Sequence, residues 1–166
     1  MIIRKEIESD IEAITEVTLA AFKNCQYGNH TEQFIIHALR AADALTVSLV
    51  ADVEGILVGH IAFSPVTISD SSQNWYGLGP FSVLPEYQKQ GIGKALIHEG
   101  LSLLKGLGAR GCVLVGDPKY YEQFGFRNLP ELILEGVPHE NFLALPFGEN
   151  KAQGVVVFHQ GFSATV

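Results

Sequence analysis

The stretch Gly79-Pro80-Phe81-Ser82-Val83-Leu84-Pro85-Glu86-Tyr87-Gln88-Lys89-Gln90-Gly91-Ile92-Gly93-Lys94-Ala95 decides how this chain is to be read. It starts inside an apolar strand, residues 75–83, that carries Gly77, Gly79 and Pro80. Proline removes a ladder donor and glycine weakens pairing, so a bulge or a splayed strand is expected there. A short loop then runs into a long helix, residues 91–107, whose Ile92, Leu96, Leu103 and Leu107 form one stripe beside the small Ala95 and Gly100. The first turn of a helix leaves N–H groups unpaired and carries partial positive charge, which makes it a site for an anion. Gly91 and Gly93 withhold the Cβ atoms that would keep a phosphate from those N–H groups. Lys89 and Lys94 add charge on either side. A diphosphate is the natural ligand.

Two familiar glycine patterns fail at this spot. A P-loop needs a glycine five residues before Gly93, where Gln88 stands, and a dinucleotide fingerprint needs a third glycine at position 96, which is Leu. What remains is Gln88, Gly91 and Gly93 as Q-x-x-G-x-G.

Working outward, residues 2–6 favour a strand, and Ser9 with Glu12 has the spacing of a capping box ahead of a helix carrying Ile11, Ile14, Thr18 and Phe22. After a turn-rich segment from Asn24 to His30, Thr31 is placed to cap a second helix with Ile35, Ile36 and Leu39. Residues 46–52 and 56–68 form a hairpin about Glu54-Gly55, with an interruption expected at Ser64-Pro65. Strand 111–115, a short helix at 119–124 closed by Gly125, and strands at 142–145 and 154–159 complete the order βααβββαβαββ. That order predicts one α/β domain over residues 1–166, a mixed sheet with helices on both faces.

Composition narrows the function. Of 166 residues 47% are hydrophobic and 17% charged, and 11 Lys+Arg against 18 Asp+Glu give a net charge of −7. A net-negative surface argues against a nucleic-acid or anionic-membrane binder, since both need a basic field. Cys25 and Cys112 match no metal spacing, and neither do His30, His37, His98, His139 and His159, so no metal is expected. Met1-Ile2-Ile3-Arg4-Lys5-Glu6 runs directly into charge without a signal-peptide core, and no apolar run reaches membrane-spanning length. The expectation is a cytoplasmic, reduced, soluble protein with no membrane partner. A homodimer is the common outcome for domains of this kind.

Val83-Leu84-Pro85 with Gln88, Gly91 and Gly93, and the later Tyr120-Tyr121-Glu122-Gln123-Phe124-Gly125-Phe126, together resemble the GNAT superfamily of acetyl-CoA-dependent N-acetyltransferases. The hairpin from Val58-Gly59-His60 to Ser64-Pro65-Val66 further resembles its YhbS-like subgroup. The resemblance implies a mostly antiparallel sheet splayed between its fourth and fifth strands. It also implies that the CoA diphosphate rests on the N–H groups of Lys89, Gln90, Gly91, Ile92, Gly93 and Lys94, close to Ala95 and Gln88. The pantetheine arm would pair with the backbone of Phe81 and Val83, beside Ser82, as an added strand; the disruption read independently at Gly79-Pro80 agrees with this.

Attack of a neutral amine on a thioester needs a base, donors for the oxyanion and an acid for the thiolate. For the oxyanion the candidates are the backbone N–H of Val83 or Ser82. For the acid the family motif points to Tyr121, also placed near the CoA sulfur. For the base the candidates are His60, Glu32 or a water chain, because residues 78–83 hold no carboxylate. Asp117 reads as a helix N-cap with Pro118 at the first position. The leading expectation is therefore acetyl transfer to a primary amine on a small molecule or a peptide. The alternatives are a CoA-binding module without catalysis and a transferase of a longer acyl group. Acceptor identity is expected to reside in residues 24–32 and 135–145.

Overall fold

The computed structural model describes residues 1–25 and 30–166. In chain order the elements are β1 (Ile2–Lys5), α1 (Ile11–Phe22), α2 (Glu32–Ala41), β2 (Val47–Val53), β3 (Ile56–Ile68), β4 (Trp75–Val83), α3 (Ile92–Gly106), β5 (Gly111–Val115), α4 (Pro118–Tyr121), β6 (Leu132–Ile133), β7 (Phe142–Pro146) and β8 (Gly154–Phe158). The sheet runs β1-β2-β3-β4-β5-β7, with β8 beside β3 and β6 beside β8. Pairing is antiparallel except for β4 with β5 and β6 with β8.

The strands alternate their faces, and each face has its own helices. Leu49, Ile61 and Phe63 pack with Leu96, Ile97 and Leu104 of α3. On the opposite face Val50 packs with Ile14 of α1 and Ile36 of α2. At the far end Trp75, Val113, Phe142 and Val156 close a third cluster. Gly100 is small because the Phe63 ring occupies the space its Cβ would need. No helix among the described residues is long and apolar enough to cross a membrane.

Several local expectations change. The Ser9–Glu12 box does not form; a 3-10 turn, Glu8–Asp10, precedes α1 and buries Asp10 instead. Asp10 Oδ2 accepts from the Ile7 N–H at 2.8 Å and from Arg4 Nη1 at 2.7 Å. The Arg4 guanidinium, followed by the Ile7 N–H, holds that carboxyl below its usual range against the cost of burial. Thr31 stands at the N-cap of α2 without a side-chain capping bond, and its own N–H donates to Glu32 Oε2 at 2.9 Å. The break foreseen at Ser64-Pro65 is a change of partner: β2 ends opposite Phe63, and β8 takes over from Val66. A residue without an N–H fits where one ladder stops and another begins. On α3 the buried face passes through Ile92, Leu96, Ile97, Gly100, Leu101 and Leu104, while Leu107 lies beyond the last turn and is exposed. β6 was not foreseen at all.

Candidate active site

One extra residue on β4 creates the site. Ile61 pairs with Phe81 and Phe63 with Leu78, so three residues of β3 face four of β4, and the surplus falls at Gly79-Pro80. Gly79 has φ +138°, a conformation glycine adopts without strain. On the other edge, β5 follows β4 only from Trp75 to Gly77, although its far edge stays paired with β7 from Gly111 to Val115. The sheet therefore opens beyond Gly77, as expected from the two glycines and the proline.

The register decides which backbone groups face that opening. The Leu84 N–H donates to the Val58 carbonyl at 2.8 Å, which makes Val58 and Leu84 a hydrogen-bonded pair. Antiparallel ladders alternate, so His60 and Ser82 bond each other, while Phe81 and Val83 turn their N–H and C=O away from β3. The Val83 carbonyl accepts from Gln88 Nε2 at 3.0 Å. The N–H of Val83 and both backbone groups of Phe81 remain directed into the splay.

Beyond Val83 the chain makes a 3-10 turn at Pro85–Tyr87 and enters α3 through Lys89 at φ +62° and Gly91 at φ +89°. The first helical hydrogen bond runs from the Ala95 N–H to the Gly91 carbonyl at 3.1 Å. The N–H groups of residues 92–94 thus have no carbonyl within the helix. Among the described residues, nothing beyond its own chain neighbours comes within 4 Å of the position a Cβ would take on Gly91, so that approach is open. Gly93 has a packing role as well: a Cβ there would come within 3.0 Å of the Phe81 ring and 3.2 Å of the Tyr120 hydroxyl. Its small size lets those aromatics lie against the helix end. Lys89, Gln90 and Lys94 are exposed around this turn, whereas Ile92 is buried in the core and Ala95 is half-buried.

Two clefts flank the opening. The smaller, about 310 Å³, is lined by Phe81, Ser82, Val83, Gln88, Gly93 and Tyr120, with Ala21, Phe22 and Cys25 from the α1 end. The larger, about 750 Å³, is lined by Glu32, Gly79, Pro80, Phe81, Tyr121, Glu135 and His159 among mostly apolar side chains. Phe22 and Phe81 line both, so the clefts meet at those rings. Tyr121 is carried by α4, whose N-cap is Asp117: its Oδ1 accepts from the Lys119 N–H at 3.0 Å, and Pro118 follows at the first position. Burial, with Tyr120 adding, pushes the Tyr121 hydroxyl well above its ordinary pKa.

Of the two base candidates, Glu32 lines the larger cleft. His60 lines neither; its side chain is fully buried on the α1/α2 side of β3. Its Nε2 lies 2.8 Å from Ser48 Oγ, which donates to Glu6, and Glu6 forms a two-pronged pair with Arg40 at 3.0 and 3.1 Å. Burial lowers the His60 pKa to about 4, Glu6 pulling it back and Arg40 adding to the fall. Among the described residues, no group of three His, Cys, Asp or Glu side chains is placed to hold a metal ion. Phe22, His159 and Phe162 carry no motif; they reach the cleft only because α1, β8 and the C-terminal turn converge on it. Residues 26–29 of the expected acceptor segment lie outside the described residues.

A family model for the acetyltransferase (GNAT) family matches residues 11–126. The chain belongs to the GNAT acetyltransferase family. It is 37% identical over 127 residues to YhbS of Escherichia coli (strain K12), described as an uncharacterized N-acetyltransferase, covering 76% of this chain and 73% of that one. A GNAT acetyltransferase from Brucella melitensis, solved in complex with acetyl-CoA, superposes with a TM-score of 0.87 at 50% identity over 97% of both chains. Escherichia coli YhbS solved with CoA superposes with a TM-score of 0.90 at 30% identity, covering 98% of this chain and 91% of that one. The GNAT domain is thus an acyltransferase fold, mostly antiparallel, opened at β4 and β5.

Proposed function

We propose that this protein binds acetyl-CoA in the smaller cleft and transfers the acetyl group directly to a primary amine held in the larger one. The observation that carries the reading is the junction at Phe81. There, unpaired backbone groups of β4 adjoin the open N-terminus of α3, and a second cleft begins on the other side of the same ring. An extended ligand with amides answers the free groups of Phe81 and Val83, and a diphosphate answers the helix end at residues 89–94. Relatives solved with acetyl-CoA and with CoA support this assignment.

Roles follow from what each group is free to do. Ser82 spends its backbone groups on His60, so of the two oxyanion candidates Val83 is the one that keeps a free N–H. The incoming ammonium gives a proton to Glu32, directly or through water, and the neutral nitrogen attacks the thioester carbon. As the C–S bond breaks, Tyr121 donates to the departing sulfur and recovers a proton from the acetylated nitrogen. The sum is amine acetylation, free thiol and one released proton. Burial keeps Tyr121 protonated, and hence a donor, across neutral and alkaline pH.

The test is calorimetric titration with acetyl-CoA followed by a thiol-release assay over a panel of amines. Acetyl-CoA binding with thiol release for some amines is the expected result. Binding with no release for any amine describes a non-catalytic CoA-binding module, and absence of acetyl-CoA binding overturns the reading.

A further inference from the structure

We infer that the acceptor is an amphipathic monoamine: one primary ammonium on an aryl or branched-alkyl body, without a carboxylate. This rests on the acetyl-transfer reading above and deepens it by naming the substrate class. The larger cleft, about 750 Å³, has the size of a small-molecule site. Among the described residues its carboxylates are Glu32 and Glu135, no Lys or Arg lines it, and the imidazole that does, His159, accepts the Gly161 N–H on its Nδ1 at 3.0 Å. An α-carboxylate or a phosphate on the acceptor would meet the like charge of Glu32 and Glu135 and, among the described residues, no Lys or Arg to offset it. The ammonium end is answered differently. Glu32 Oε2 is held by the Thr31 N–H, but Oε1 is buried and meets no hydrogen-bond donor among the described residues. A carboxylate oxygen in that state calls for a donor, and a cation is the strongest one available.

Apart from Glu32, Tyr121, Glu135, His159 and Ser163, the described lining is aliphatic and aromatic. Phe158 and Phe162 meet edge to face, ring centres 5.0 Å apart, and Ile35 and Val137 extend the same surface. An amino sugar would strand its hydroxyls there, and the further ammonium groups of a polyamine would lie over hydrocarbon with only the exposed Glu135 at hand. An apolar body with a single charged head matches Glu32 and the hydrocarbon walls together.

The experiment uses the full chain saturated with CoA, so that no turnover occurs. Phenethylamine, phenylalanine, spermidine and glucosamine are titrated by calorimetry, and the same four are run with acetyl-CoA for thiol release. Phenethylamine is expected to bind at least about tenfold more tightly than each of the others. Glu135→Gln, at an exposed position, is expected to narrow the gap between phenethylamine and phenylalanine. Equal or tighter binding of phenylalanine, spermidine or glucosamine overturns the inference, as does failure of phenethylamine to bind. Thiol release with one of those amines would still sustain acetyl transfer; no release with any amine despite acetyl-CoA binding is the separate failure of the parent reading.

Discussion

Gln88 and Val83 are joined across the turn between β4 and α3: the Gln88 side-chain amide donates to the Val83 carbonyl at 3.0 Å. The bond ties the free strand edge of β4 to the N-terminal end of α3, the two elements proposed to hold the pantetheine arm and the diphosphate. It also occupies the one carbonyl of Val83 that faces the splay, leaving only its N–H. Because the bond is neutral and partly exposed, Gln88→Ala should lose about 1 kcal/mol of alignment, seen as a rise of roughly fivefold in the acetyl-CoA KM. Thermal unfolding should be nearly unchanged. An unaltered KM would mean that the two binding elements are aligned by something else.

Tyr121→Phe removes the hydroxyl and keeps the ring that packs beside Phe126. Steady-state kinetics should then show kcat falling by about a hundredfold, a typical worth for a positioned acid, with little change in the acetyl-CoA KM. Equal turnover in the variant would pass the acid role to water or to Tyr120.

Glu32→Gln keeps the size of the side chain and its contact with Thr31, and removes the proton acceptor. The expected outcome is a loss of about a hundredfold in kcat/KM for the amine. The discriminating comparison is His60→Gln, which should leave the amine dependence of catalysis close to that of the parent. If His60→Gln is the inactive variant and Glu32→Gln is not, the base has been misassigned.

The buried His60 predicts how stability varies with pH. In the unfolded chain it protonates near pH 6.5, but in the folded chain only near 4. Between those values the unfolded state binds more protons, so stability present at neutral pH is lost as pH falls from about 6.5 to 4. The contribution is about 3 kcal/mol at most. Glu6 and Asp10, both held below their ordinary values, add losses at lower pH still. Chemical denaturation from pH 7 to pH 4 should show this decline, and His60→Gln should flatten it. An equally steep decline in the variant would assign it to other groups.

Two glycines, Gly100 within α3 and Gly91 at its N-cap, should separate binding from folding. Gly100→Ala pushes a methyl into the Phe63 ring and should cost about 1–3 kcal/mol of stability without raising the acetyl-CoA KM in the surviving fold. Gly91→Ala meets no neighbour, but it must hold φ near +89° at a cost of about 1–2 kcal/mol, and it places a methyl in the diphosphate's approach. It should weaken acetyl-CoA as well as the fold. The reverse pattern would remove the helix end from the binding site.

Much of this was legible in the sequence because the chemistry is local. Gly79 and Pro80 disrupt the very strand they occupy, and Gly91 marks the helix start with its own backbone. What escaped the sequence depends on distant residues. Arg40 and Glu6 stand 34 positions apart, Ser48 and Glu6 42, and nothing in either neighbourhood announces that His60 will join them. Gly93 was read for a ligand when a good part of its role is to admit Phe81 and Tyr120. The larger cleft is least legible of all, because Phe22, Glu32 and Phe162 meet only once α1, α2 and the C-terminal turn have packed against the opened sheet.

The most direct measurement is a crystal structure of the protein grown with CoA. The diphosphate should lie on the N–H groups of residues 89–94, with the pantetheine arm paired to Phe81 and Val83 and its sulfur pointing toward Tyr121. CoA bound elsewhere, with that helix end and strand edge untouched, would contradict the account.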